Sequence, residues 1–149
     1  MADFTHSYDG TEQALRLDLN IIPEDDTSPV SGRNMHALII EDEFFTALLI
    51  EDCLRALRYT TFAFARDVEE AITAASERCP DLITSDVQLS PGCGIDAVQH
   101  ICEDKPIPVV YITGTAMLVR ERCPGAAMIR KPFGLADLRE GVRQALRVT

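Results

Sequence analysis

Five side chains with complementary chemistry stand at the ends of short apolar runs in this 149-residue chain. Glu41 and Asp42 follow HALII, Asp86 follows DLITS, Thr113 closes PVVYIT, and Lys131 follows AAMIR. Three carboxylates, one hydroxyl and one ammonium make a hard, oxygen-rich set. Carboxylates forced together at about 4 Å repel by roughly 4 kcal/mol at an effective dielectric of about 20. Such a cluster persists when a cation compensates it. Oxygen donors without His or Cys suit Mg²⁺, which keeps several waters and serves phosphoryl chemistry. Asp86 is then a nucleophilic carboxylate, with Lys131 stabilising charge on a transferring group and Thr113 donating to one of its oxygens. Each feature also has an ordinary explanation: acidic pairs cap helices, and Lys-Pro-Phe at 131–133 is a common turn. Four of them in order, each at the end of its own run, are more specific.

The elements that must position these groups follow from periodicity. Apolar runs predict strands over 36–40, 60–65, 81–85, 107–113 and 126–130. Helical spacing predicts helices over 44–57, 67–78, 95–103, 116–122 and 135–146, the first with Ala47, Ile50, Leu54 and Leu57 on one face. Asp67 and Glu70 form a capping-box pattern. Ser90, Pro91, Gly92 and Gly94 mark a loop after Asp86. Five strands alternating with five helices predict an α/β fold, a doubly wound five-stranded parallel sheet with helices on both faces. Such sheets gather their strand-end residues along one edge, where open α/β proteins place their chemistry.

Composition bounds the function. A net charge of −10 argues against nucleic-acid binding. No run of about 18 apolar residues predicts a membrane span, and the acidic start MADFTHSYDG lacks the apolar stretch of a signal peptide. Five cysteines without a CxxC pair suggest neither a zinc site nor a disulfide framework, and fit reduced thiols in a cytoplasmic protein. Lys105 and Lys131 are the two lysines among 14 basic residues. A compact ammonium at Lys131 therefore stands out against an arginine-rich background.

The chain divides into an acidic N-terminal extension and linker at 1–34 and a domain at 35–149. The extension carries seven acids against two bases, half of the net charge. Its Leu15, Leu17, Leu19 and Ile21 alternate like a strand, a helix over 11–20 fits nearly as well, and 23–34 reads as a linker. It is expected either to form a disordered tail or to dock on the domain, and Met35 is an alternative start. Phe45, Leu48 and Leu49 lie off the core face of the first helix, either partly buried or forming a partner surface. Cys93 in the loop after Asp86 fits a small-residue role better than a redox one.

Over about residues 36–147 the chain resembles the receiver domain of bacterial two-component response regulators. The resemblance rests on LIIEDE around Glu41 and Asp42, DLITSDVQLSPG around Asp86, VVYITGTA around Thr113 and RKPF around Lys131. It implies a flavodoxin-like (βα)5 fold and a phosphoacceptor role for Asp86, supplied from a phosphohistidine of a sensor histidine kinase or phosphotransfer protein. It further implies Mg²⁺ held by Asp42, Asp86 and the backbone carbonyl of Gln88, with Glu41 acting through water. Thr113 and Lys131 would bind phosphoryl oxygens, the peptide bond before Pro132 would be cis, and the first helix would contact the kinase. Two departures stand out. Met128 occupies a position that is usually Tyr or Phe, and the spacing from Thr113 to Lys131 is shorter by about one turn, which predicts a short fourth helix. The chemistry reads as standard and the output as unusual.

No output domain is expected beyond Thr149, so the expected role is a single-domain regulator. It would signal by contact with a downstream protein or drain phosphate from a shared kinase, without being an enzyme. A Mg²⁺-dependent phosphohydrolase is disfavoured because Gln88 stands where such enzymes usually carry a second Asp. A receiver-like binding module that is no longer phosphorylated is the remaining alternative.

Overall fold

A computed structural model describes residues 34–149. The expectations for the extension lie outside the described residues, except at Asn34. Five strands form one parallel sheet: β1 (Met35–Ile40), β2 (Tyr59–Ala65), β3 (Leu82–Ser85), β4 (Val109–Thr113) and β5 (Ala127–Arg130). Their order is β2-β1-β3-β4-β5. Between them lie α1 (Phe44–Ala56), α2 (Val68–Glu77), α3 (Gly94–Ile101), α4 (Ala116–Arg122) and α5 (Leu135–Val148). This is the doubly wound, flavodoxin-like arrangement read from the sequence. The strand order reverses between β1 and β3, the switch point where such folds bind ligands.

Alternation along the central strands divides the core in two. Ala37, Ile39, Leu82, Val110 and Ile112 pack with Ile50 and Leu54 of α1 and Leu138 and Val142 of α5. Leu38, Ile40, Ile83 and Tyr111 face the other way, against Ala71 of α2, Ile95 and Val98 of α3 and Val119 of α4. Buried on both faces, β1, β3 and β4 have no polar alternation. The outer strand β2 is more open, and Phe62 lies beneath the Arg55 guanidinium at 4.7 Å. Gly141 lets α5 lie close to the sheet, because a Cβ there would meet Val110 Cγ1 at 2.9 Å and Ile129 Cγ2 at 3.0 Å.

Local signals set most boundaries. Glu43 caps α1, its carboxylate accepting from Thr46 N and Thr46 Oγ1, both at 2.7 Å. Asp67 caps α2 by accepting from Glu70 N at 2.8 Å. The returning Glu70 carboxylate accepts from Arg66 N at 2.8 Å, so the capping box closes one residue earlier than expected. The strand expected over 107–113 begins at Val109, after Pro106 and Pro108, which have no N–H to give the ladder. The helix expected over 95–103 spans Gly94–Ile101 and ends sooner, while α5 runs on to Val148. The fourth helix has seven residues and is short as expected. Among the described residues no helix is long and apolar enough to cross a membrane, and all five cysteines are free.

Candidate functional site

The parallel ladder carries each site residue to the same edge. Asp86 N donates to Ile40 O at 2.9 Å, Glu41 N to Ala65 O at 2.9 Å, and Lys131 N to Thr113 O at 3.0 Å. These bonds extend the strand pairing by one residue, so site geometry is set by sheet register. Beyond them the chain turns away, and the side chains converge.

Lys131 Nζ is the hub. It donates to Asp86 Oδ2 at 2.8 Å and to Glu41 Oε1 at 3.0 Å. The second oxygen of each carboxylate is held by backbone. Asp86 Oδ1 accepts from Val87 N at 2.7 Å and Gln88 N at 3.3 Å, and Glu41 Oε2 accepts from Glu43 N at 3.1 Å. Glu41 is 3% exposed and Asp86 8%. Burial pushes the Glu41 carboxyl above the ordinary range, against the opposing bond from Lys131. Burial disfavours the Lys131 charge, yet its bonds to Asp86 and Glu41 hold its pKa above the usual lysine value. Asp42 completes the group: one oxygen from each of Glu41, Asp42 and Asp86 lies within 4.8 Å of the others. Three carboxylates and one ammonium leave a formal charge of −2. That charge and the all-oxygen donor set fit a hard dication such as Mg²⁺.

Thr113 reaches the site edge, but its hydroxyl is engaged elsewhere. Thr113 Oγ1 accepts from Thr115 N at 3.0 Å and lies 3.3 Å from Thr115 Oγ1. Gln88 sits on the exposed rim of the loop after Asp86, its backbone bridging to Cys93. The peptide bond before Pro132 is cis, as is that before Pro91. Phe44, Phe45, Leu48 and Leu49 of α1 are 66%, 75%, 39% and 43% exposed, so Phe45, Leu48 and Leu49 lie open together with Phe44.

Two contributors carry little site signal in the sequence. The sequence places Gly94 in a loop, whereas it opens α3, and its N donates to Val87 O at 2.8 Å. A Cβ there would overlap Asp86 O and Ser85 Oγ, so this glycine is what lets α3 start against the Asp86 peptide. The Pro-Gly-Cys-Gly run was its one signal. Arg122 at the end of α4 donates to Asp96 Oδ1 at 2.6 Å, Gln99 Oε1 at 3.0 Å and Cys93 Sγ at 3.7 Å. Nothing in the local sequence marks it.

Fold and site together define an open α/β protein with an acidic centre and a bridging lysine at its switch point. The chain belongs to the response regulator receiver domain family, whose model matches residues 37–143. It is 33% identical over 113 residues to the transcriptional regulatory protein PdtaR of Mycobacterium tuberculosis, covering 73% of this chain and 55% of that protein. The chain thus spans about half the length of that relative. Among solved structures, the PhyR receiver domain of Erythrobacter litoralis superposes with TM-score 0.69 at 31% identity, covering 76% of this chain and 91% of that one. The response regulator PhyR of Brucella abortus gives 0.70 at 32% identity, covering 77% and 49%. The receiver domain of a sensor histidine kinase from Pseudomonas aeruginosa, with a magnesium ion coordinated in its active-site cleft, gives 0.65 at 26%, covering 76% and 98%.

Proposed function

We propose that the protein accepts a phosphoryl group on Asp86 from a phosphohistidine of a sensor histidine kinase or phosphotransfer protein. The observation that carries this reading is Lys131 bridging Glu41 and Asp86 beside Asp42, at the end of a central strand. A carboxylate oxygen of Asp86 attacks phosphorus, the phosphorus–nitrogen bond breaks with its electron pair staying on nitrogen, and the imidazole leaves neutral, keeping the proton already on its other ring nitrogen. Backbone donors at Val87 and Gln88 fix one Asp86 oxygen and so aim the carboxylate. Lys131 follows the developing charge, exchanging a carboxylate partner for a phosphoryl oxygen. Thr113 donates to another oxygen once its hydroxyl turns from Thr115. When bound, Mg²⁺ would be held by Asp42, Asp86 and the Gln88 carbonyl, with Glu41 through water, and would neutralise charge on the transferring group.

The exposed Phe44, Phe45, Leu48 and Leu49 beside the site offer the kinase an apolar surface. Output then runs through contact with a downstream protein, or through removal of phosphate from a shared kinase, in the cytoplasm. No turnover of a second substrate is assigned. The test is intact mass after incubation with acetyl phosphate and Mg²⁺, for wild type and Asp86→Ala. A gain of one phosphoryl group by wild type, lost in the variant and without Mg²⁺, is the expected result. No gain, together with failure to bind beryllofluoride, refutes the reading and leaves a binding module.

A further inference from the structure

The fourth helix is shorter than the strand beside it. α4 has seven residues, about 10 Å, whereas the five-residue β4 spans about 16 Å. The helix begins at the strand-end edge, just after Thr113, and so stops short of the strand starts. Gly125, with φ 85°, then turns the chain into β5. The space left over is an open cleft of about 460 Å³ at the strand-start edge, away from the acidic centre. It is lined by Val98 and Cys102 at the end of α3, Ile107 and Val109 at the entry to β4, and Cys123 and Ala126 between α4 and β5.

One polar group on this lining is poorly served. Tyr111 is 2% exposed, and among the described residues its hydroxyl has one hydrogen-bonding contact, Cys123 Sγ at 3.8 Å. Sulfur is a weak partner, whereas buried phenols ordinarily hold a stronger one. Burial above all, and then the neighbouring thiols of Cys123, Cys102 and Cys93, push the Tyr111 pKa up, so the phenol keeps its proton and remains a donor. Gln99 also lines the cleft, but its Oε1 accepts from Arg122 at 3.0 Å. Among the described residues no charged side chain lines the cleft. An ionic guest would therefore lose hydration there without gaining a counter-ion.

We propose that this cleft binds a small, neutral, largely aromatic molecule whose acceptor oxygen takes the Tyr111 hydroxyl. A volume of several hundred Å³, mostly apolar walls and one convergent donor are the usual anatomy of such a site. It lies at the opposite end of β4 from Thr113 and does not rest on the phosphoacceptor reading of Asp86.

The test uses probes of one shape: benzophenone, diphenylmethane, which replaces the carbonyl by a methylene, and 4-benzoylbenzoate, which adds a carboxylate. Each is titrated into wild type, Tyr111→Phe and Ala126→Leu, and alkylation by iodoacetamide is followed at each cysteine by peptide mass. Cys102 and Cys123 line the cleft, whereas Cys79 is exposed outside it and serves as the internal reference. Benzophenone is expected to slow Cys102 and Cys123 saturably and to leave Cys79 unchanged. Tyr111→Phe should weaken benzophenone by roughly three- to tenfold, the effect of one neutral hydrogen bond. The same variant should hold diphenylmethane as wild type does, which shows the cleft intact. Ala126→Leu should abolish protection by both, and 4-benzoylbenzoate should protect least. Slowing of all three cysteines alike, or no slowing up to the solubility limit of benzophenone, overturns the site. Equal benzophenone affinity in wild type and Tyr111→Phe overturns the role of the hydroxyl, and equal affinity for 4-benzoylbenzoate overturns the neutral class. Protection that grows with protein concentration alone, without any probe, identifies a second copy of the chain as the occupant and also overturns the proposal.

Discussion

Replacing Lys131 by Met removes the one ammonium between two carboxylates that are nearly out of water. Glu41 and Asp86 each lose a charge-assisted bond, of 3.0 and 2.8 Å. Hydrogen bonds to charged groups contribute about 1.5–3 kcal/mol each, and removing one partner of a buried pair costs about 3–5 kcal/mol. The Lys131 side chain is 27% exposed, so water recovers part of that loss. About 3 kcal/mol at pH 7.5 is therefore expected. With an m-value of about 2 kcal/mol/M in urea, the midpoint falls by about 1.5 M. The loss should also depend on pH. Glu41 already titrates above its ordinary value because it is buried, and without Lys131 it rises further. A group whose folded pKa lies above the unfolded one stabilises fully below the unfolded value, and that contribution disappears as pH rises through the folded one. The variant should accordingly recover towards wild type near pH 5, and also on addition of Mg²⁺ at pH 7.5. Urea melts followed by far-ultraviolet circular dichroism, at both pH values and with and without Mg²⁺, provide the measurement. A midpoint shift below about 0.3 M at pH 7.5, or an equal shift at pH 5, refutes the claim that Lys131 compensates two buried charges.

Three further outcomes follow from particular contacts. Gly94→Ala forces a methyl into the Asp86 carbonyl and should cost at least about 2–3 kcal/mol in urea melts while slowing phosphoryl gain; near-wild-type values for both would contradict the close approach. Arg58 follows α1 with φ 78°, a left-handed conformation that costs a side chain about 1–2 kcal/mol, so Arg58→Gly should raise stability by about 0.5–1 kcal/mol in thermal or urea melts. His36 is 5% exposed with Nδ1 2.9 Å from Thr61 Oγ1, and burial above all holds its pKa below 6.5. The unfolded chain takes up that proton first, so the stability His36 contributes is present above about pH 6.5 and is lost as pH falls through its folded value. Melts between pH 7.5 and 5.5 should show wild type losing more stability than His36→Gln.

The sequence alone was enough for the fold and for the five strand-end residues, and the reason is local. Apolar runs and helical spacing are written in consecutive residues, and a parallel sheet buried on both faces leaves no doubt which end of each run carries the polar groups. Glu41, Asp42, Asp86, Thr113 and Lys131 therefore fell at one edge as soon as the alternation was read. What tertiary structure decided was pairing between residues distant in the chain. Lys131 lies 90 residues from Glu41 and 45 from Asp86, and no periodicity tells which oxygen it takes. The Thr113 hydroxyl lies against Thr115, its Oγ1 accepting from Thr115 N at 3.0 Å, a contact that the residue types alone do not reveal. Gly94 looked like a loop glycine until the Asp86 carbonyl was seen where its Cβ would be. Arg122 looked like one more surface arginine on a short helix, and its reach to Asp96, 26 residues earlier, depends on how α4 settles beside α3. Pattern fixes which way a side chain faces, whereas its partner is chosen by packing among elements that the pattern treats as independent.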